Sequence, residues 1–385
     1  MQNNLNETIA AIFQAATGES KTKSSEEEKI AFERLSAAVQ AGDIEFIRAL
    51  VEAEKQHSRA KNVPTLLMAA TMEGKTEVVR ALIDAGVDVN TQVEEFGFKM
   101  DALEFAIDKE YTDIVKILLN AGANPNLNSE NPGLSHIRKA VQKGYTEIVN
   151  LLIQAGATVK FNTGFRLLVD AAEKSNPEII QLLVNAGCNV NTRQLGKDTP
   201  LTAACRIARI ENVQALISAG ANVNKVGMHD MAPLVTVFLS TRMNTALAGH
   251  GLAEKENNIV SKITQIAQAL IEAGADLNVY EVNGKTALML AVEQSYFDIV
   301  KMLIVGGANI NALMQPDEQS IFVRGRNIVC KTALHLAVEA ENVEAIKMLL
   351  EAGANVNIPD SEGKIPLDIA IEKNLTEIAA LINYK

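Results

Sequence analysis

The chain has 385 residues, with 36 basic against 47 acidic side chains and a formal net charge of −11, a balance that gives no cationic footprint for nucleic acid or an anionic lipid surface. Its three cysteines, Cys188, Cys205 and Cys330, are odd in number and lack CxxC spacing, which argues against a disulfide framework or zinc cluster and fits a reducing, cytoplasmic setting. No stretch nears the ~20 apolar residues that span a bilayer, and the opening residues Met1 to Glu7 lack the basic and apolar regions of a secretory signal, so a soluble protein without membrane insertion is expected.

In chain order, Leu5, Ile9, Ile12 and Phe13 form an apolar stripe at helical spacing, and a polar linker follows from Gly18 to Glu28, so residues 1–28 read as a short helix and a tether. From residue 29 to 385 a ladder of similar endings takes over: Ala85-Gly86-Val87-Asp88, Ala121-Gly122-Ala123-Asn124, Ala219-Gly220-Ala221-Asn222 and Ala352-Gly353-Ala354-Asn355 among them. Successive second-position glycines are 36, 34, 31, 33, 54, 33 and 46 residues apart, and a period near 33 marks stacked repeats, each burying its apolar side against neighbours. Thr332 to Gly353 shows the unit whole. Thr332 caps a first short helix, a tight turn follows, and a second helix with apolar residues at helical spacing is stopped by Gly353 in a left-handed conformation. Pro200, Pro233 and Pro366 sit at first-helix starts, where a missing N–H leaves nothing unpaired.

These residues resemble the ankyrin repeat, in threonine-proline-leucine-histidine starts, turn glycines and glycine-alanine-asparagine endings, over about nine-tenths of the chain. The resemblance implies an all-α solenoid of about ten helix-turn-helix units with finger loops and a concave binding face. Residues 29–57 are expected as the N-cap unit and 358–385 as the C-cap unit, completing the array. The histidine of the motif survives at His335 but is Met68, Glu104, Thr202 and Met289 elsewhere, so its hydrogen bond is expected to be mostly lost. The turn glycine persists at Gly42, Gly74 and Gly144 and becomes Glu110, Ser175, Ala208, Ser295, Glu341 and Asn374 elsewhere, at a cost of up to ~1 kcal/mol each. Two long steps mark departures. One leaves an insertion near 242–261, between a first and a second helix, read as a loop with some helix. The other leaves a long finger over 312–331, whose Ile321 to Val329 read as two apolar strands about a glycine-containing turn.

Neither a catalytic residue, a metal nor a cofactor is expected, because the five histidines are scattered along the chain without ligand spacing. Recognition is the reading the repeats favour. In the resembled family the contacts come from finger tips and inner helices, and the equivalent places here include Phe98, Met100, Phe165, Leu195, Ile207, Met228, Met231 and Leu239, an apolar track edged by Arg206 and His229. Val282, Asn283, Lys285, Glu293 and Gln294 hold the same places in the eighth unit, and Phe322, Arg324 and Arg326 are expected to reach beyond the other tips. Phe98, Phe165 and Met231 are assigned outside the stacking core. The expected function is a monomeric, non-enzymatic adaptor for one or more partner proteins. Its rivals are a regulatory subunit occluding an enzyme, a small-molecule binder on the track, and an enzyme using His250 and Glu254 of the insertion.

Overall fold

The structure, a computed structural model, describes residues 37, 39, 41–45, 47–48, 63–95, 98–127, 135–159, 167–174, 176–193, 197–238, 253–319 and 323–384. The expected N-terminal helix and tether of residues 1–28 and much of the expected N-cap unit lie outside them. The chain is an all-α repeat solenoid, and it divides into two compact bodies, residues 1–167 with 185–188 and residues 168–184 with 189–385.

The first body holds three helix pairs among its described residues: α1 (Val63–Met72) with α2 (Thr76–Asp84), α3 (Ala102–Asp108) with α4 (Thr112–Asn120), and α5 (His136–Lys143) with α6 (Thr146–Gln154). The second begins with α7 (Leu167–Lys174) and α8 (Pro177–Asn185), and continues through α9 (Pro200–Arg206), α10 (Ile210–Ser218), α11 (Pro233–Thr236) and α12 (Ala253–Glu272). Its last three pairs are α13 (Ala287–Glu293) with α14 (Phe297–Val305), α15 (Ala333–Glu339) with α16 (Val343–Glu351), and α17 (Pro366–Glu372) with α18 (Thr376–Asn383). Within each body first helices pack on first helices and second on second, as α13, α15 and α17 do, which buries alanines and branched aliphatics such as Ala291, Ala337, Ile346 and Leu349. No helix among the described residues is long and apolar enough to cross a membrane.

Local chemistry explains the unit. Thr199, Thr286 and Thr332 accept the backbone N–H three residues on, closing the first turns of α9, α13 and α15. A reciprocal bond survives the loss of histidine at Thr202 and Met289, two of the four places where it was expected to be lost, and another forms at Asp368. The N–H of Thr199 donates to Thr202 Oγ1 (2.8 Å), that of Ile365 to Asp368 Oδ2 (2.9 Å) and that of Thr286 to the Met289 sulfur (3.4 Å), because any acceptor of suitable reach at that position serves. His335 does more, since its Nδ1 meets the N–H of Thr332 while its Nε2 reaches the Lys364 carbonyl of the next finger at 3.0 Å.

The turn between paired helices needs a left-handed residue. Gly74 and Gly144 supply it at φ 68° and 77°, but Glu110, Ala208, Ser295, Glu341 and Asn374 adopt φ between 54° and 59° in the same place. Ser175 lies outside the described residues. Glu110 is exposed, so Glu110→Gly is expected to relieve about 0.5–1 kcal/mol of strain, read as a higher urea midpoint; an unchanged or lower midpoint refutes it.

Asparagines join successive fingers. Asn90 donates to the Gly122 carbonyl (3.0 Å) and accepts from the Asn124 N–H (2.6 Å), and Asn126 repeats this with Gly156 and Thr158. In the second body Asn224 spans the 54-residue step, donating to Gly274 and accepting from Asp276, so the insertion leaves this link intact.

The insertion is partly helical, as expected: α12 is 20 residues long and starts at Ala253, while 239–252 lie outside the described residues. The long finger departs from expectation. Among its described residues no strand forms, because its backbone bonds go largely to neighbouring fingers: Gln315 N–H to Gly284 (2.9 Å), Asp317 N–H to Val282 (3.1 Å), and the Cys330 carbonyl from Ser361 N–H (3.2 Å). A true hairpin occurs instead in the first body, β1 (Val93–Glu95) against β2 (Phe98–Met100), antiparallel with Val93 opposite Met100.

Candidate functional site

In four units of the second body the residue before the N-cap pairs with the last turn of the same inner helix eight positions on. Lys285 pairs in this way with Glu293, Lys331 with Glu339, and Lys364 with Glu372 at 2.8 Å. The sixth unit reverses the signs, with Arg206 Nε donating to Asp198 (2.9 Å) and its Nη2 to Glu173 (2.6 Å). In the first body the same strip carries Lys139 between Glu104 (2.7 Å) and Asp108 (2.9 Å), with Lys143 on Asp108 at 3.1 Å. Burial works against charge on Asp108, but hydrogen bonds and charge from the two lysines outweigh it and hold its pKa below the usual value.

Between the fingers of the seventh and eighth units lies a cleft of about 260 Å³. Met231, Phe238 and Leu290 form its apolar floor, Lys285 and Glu293 one rim, and Arg326 of the long finger faces it from the side. Phe238 is buried and stacks on Tyr296 at 6.4 Å between ring centroids, while Gln294 donates to the Phe238 carbonyl at 3.4 Å. The helix beneath, α11, spans four residues where α9, α13, α15 and α17 span seven.

The tip of the seventh finger is strained and clamped. His229 and Asp230 are consecutive left-handed residues, at φ 56° and 52°, in a turn closed by Gly227 N–H to Met231 O (2.9 Å). Arg193 holds this turn by donating to the Gly227 carbonyl (2.9 Å) and to Asp230 Oδ1 (2.7 Å), and Asp198 accepts the Met228 N–H at 3.2 Å. Gly227 permits the approach, since a Cβ there would lie 2.2 Å from Thr202 Oγ1. His229 is thereby presented, exposed, at the cleft edge.

Seven of the groove places read from the sequence line this cleft: His229, Met231, Val282, Asn283, Lys285, Glu293 and Gln294, and Arg326 joins them. Met231 is only 5 % exposed and belongs to the core, which corrects the expectation that it can be replaced without touching the packing. Arg206 is held between two carboxylates, and Met228, Ile207 and Met100 are half-buried. Arg324 is exposed beside Arg326. Phe98 lies in β2, whereas Phe165, Leu195, Leu239 and Phe322, with His250 of the insertion, fall outside the described residues.

Sequence reading missed Phe238 and Arg193. The signal for Phe238 is its bulk, at a place where other units carry Ile107, Val141, Cys205 and Val292. Arg193 gives no local signal, because its partners lie 34 and 37 residues away.

Burial, aided by the Asp198 charge, pushes the Cys205 thiol far up, away from the reactive thiolate. Burial also lowers the pKa of His335, against the Lys364 carbonyl, and both its nitrogens serve the scaffold. Among the described residues no cluster of three or more histidine, cysteine or carboxylate groups is placed to hold a metal ion.

A family model described as ankyrin repeats (3 copies) matches residues 35–129, 134–227, 252–314 and 319–385. A comparison with curated proteins finds no match.

Proposed function

Because the chain belongs to the ankyrin-repeat family, whose members are generally protein-interaction modules, we propose that it is a non-enzymatic adaptor that holds a partner protein on its finger and inner-helix surface. The observation that carries this reading is the cleft of the second body, with an apolar floor, fixed walls and a tip clamped by Arg193. Preformed walls spare an incoming partner part of the ordering cost, and central apolar pockets ringed by polar groups are where interfaces concentrate their affinity. The neighbouring ion pairs are satisfied within the chain, so they shape the surface without demanding a particular counter-charge. A cleft of about 260 Å³ is smaller than the ~300–1,000 Å³ of most small-molecule sites, which favours a protein side chain over a metabolite. A soluble, cytoplasmic adaptor, monomeric on its own, accords with the acidic balance and unpaired cysteines.

The test is affinity capture from native lysate with the wild-type chain and with His229→Ala/Arg326→Ala. Both side chains are exposed, so the fold is expected to survive. Loss of specific bands from the double variant is the expected result, and an identical catch from both proteins overturns the assignment to this cleft.

A further inference from the structure

We propose that the cleft takes an acidic-apolar segment of the partner: one large apolar side chain enters it, and an aspartate or glutamate within two residues of that side chain pairs with Arg326 and Arg324. The inference rests on the reading of the chain as a protein-binding module and specifies its ligand chemistry.

Charge bookkeeping around the cleft leads there. Lys285 is matched by Glu293, and Lys331 in the next finger by Glu339. Glu281 is buried and spends its oxygens within its own finger, accepting from the Lys285 N–H and from Asn283 Nδ2 at 2.8 Å. Of the charges that line the cleft, Arg326 is the one left over, with Arg324 in the same turn, while Asp317 and Glu318 are exposed on the other arm of the long finger. Arg324 and Arg326 are exposed, and neither pairs with a carboxylate among the described residues. In a chain of net charge −11 this is a local exception beside an apolar floor. Two guanidinium groups are too few for a nucleic-acid backbone, but a planar fork of donors matches a single carboxylate.

The arginines are also aimed. Their turn closes with Arg326 N–H to Val323 O at 2.9 Å, Gly325 is left-handed at φ 77°, and Val323 is buried beneath. The other arm of the long finger is bonded to the eighth finger at Gly284, where a Cβ would lie 2.2 Å from the Pro316 nitrogen. The long finger is thus bonded to the eighth finger through its 315–317 arm, and Arg326 sits in a closed turn of the other arm, at the edge of the cleft it lines.

The experiment selects random 12-residue peptides displayed on phage against the full chain, with synthetic copies of the enriched sequences titrated by fluorescence anisotropy. Enriched peptides are expected to share one Leu, Ile, Met or Phe with Asp or Glu within two residues. Arg324→Glu/Arg326→Glu is expected to weaken them at least about tenfold, the scale of a lost charge-assisted hydrogen bond, and to turn selection towards Lys- or Arg-flanked peptides. Arg324→Gln/Arg326→Gln, which adds no repulsion, is expected to lower affinity to a smaller extent. Enrichment without an acidic preference, affinity within threefold of wild type in the reversed variant, or an empty selection each overturns the inference. Selected peptides that lack acid but compete with the captured partner overturn only the ligand chemistry, whereas failure of both the selection and the capture overturns the binding-module reading as well.

Discussion

His136→Ala is expected to destabilise the first body by about 3–5 kcal/mol, the usual cost of stripping one partner from a buried ion pair. His136 and Asp101 are 1 % and 0 % exposed, with Nε2 3.1 Å from Asp101 Oδ1 and Nδ1 3.1 Å from the Pro125 carbonyl. Both ring nitrogens face acceptors, an arrangement that favours the imidazolium because only that form can donate to both. Asp101 Oδ1 also caps α3 through the Glu104 N–H at 2.8 Å, while its Oδ2 is buried without a hydrogen-bond partner. With alanine at position 136 that carboxylate keeps its cap and loses its counter-charge. The remaining nearby cation, on Lys139, is already shared between Glu104 and Asp108.

The same pair sets a pH dependence. Burial lowers the His136 pKa, but the Asp101 hydrogen bond and charge, the Pro125 carbonyl and the Glu104 charge outweigh it, and the net shift is upward from 6.5. A raised folded-state pKa means that the folded form binds the proton more tightly, so the contribution is full below about pH 6.5 and is lost as pH rises through the folded-state value. Urea midpoints of the wild type, followed by circular dichroism, are therefore expected to fall on going from pH 6 to pH 9 by more than those of His136→Ala. Equal slopes for the two proteins, or a loss under about 1 kcal/mol at pH 6, refute the buried ion pair.

The repeat was legible because its determinants are local. Gly86, Gly122, Gly220 and Gly353 are left-handed at φ 82° to 88°, where an ending recurring about every 33 residues placed them, and Thr199, Thr286 and Thr332 cap the helices whose starts they marked. What was not legible is long-range in sequence. The Asp101–His136 pair joins residues 35 apart, and His136 taken alone was one unassigned histidine among five. The hairpin β1–β2 left a short signal, the glycine of Phe96-Gly97 between Val93-Glu94-Glu95 and Phe98-Lys99-Met100, with Glu94 opposite Lys99. Two apolar runs about Gly325 misled at the long finger, where Arg326 N–H closes a turn on Val323 and the Cys330 carbonyl accepts from Ser361 of the next finger. The groove places of the eighth unit were readable because the repeat fixes them; the cleft floor at Phe238 was not, since it depends on where α11 stops.

Phe238→Ala is expected to produce the other large effect, on stability and recognition together. The ring is 1 % exposed and stacked on Tyr296, so its removal is expected to cost the second body about 3–5 kcal/mol. For a body of roughly 200 residues that corresponds to a fall of about 10 °C in its thermal midpoint. Because one side of the ring is cleft floor, the variant also deepens the cleft beyond its present 260 Å³. If the cleft receives an apolar side chain, the preferred peptides are expected to shift towards larger anchors, Phe or Trp in place of Leu or Met, with the acidic neighbour retained because Arg324 and Arg326 are unchanged. If the cleft is only a packing defect, the midpoint falls and the peptide preference stays where it was. A midpoint within 2 °C of wild type would show instead that the ring contributes little to the packing between the seventh and eighth units.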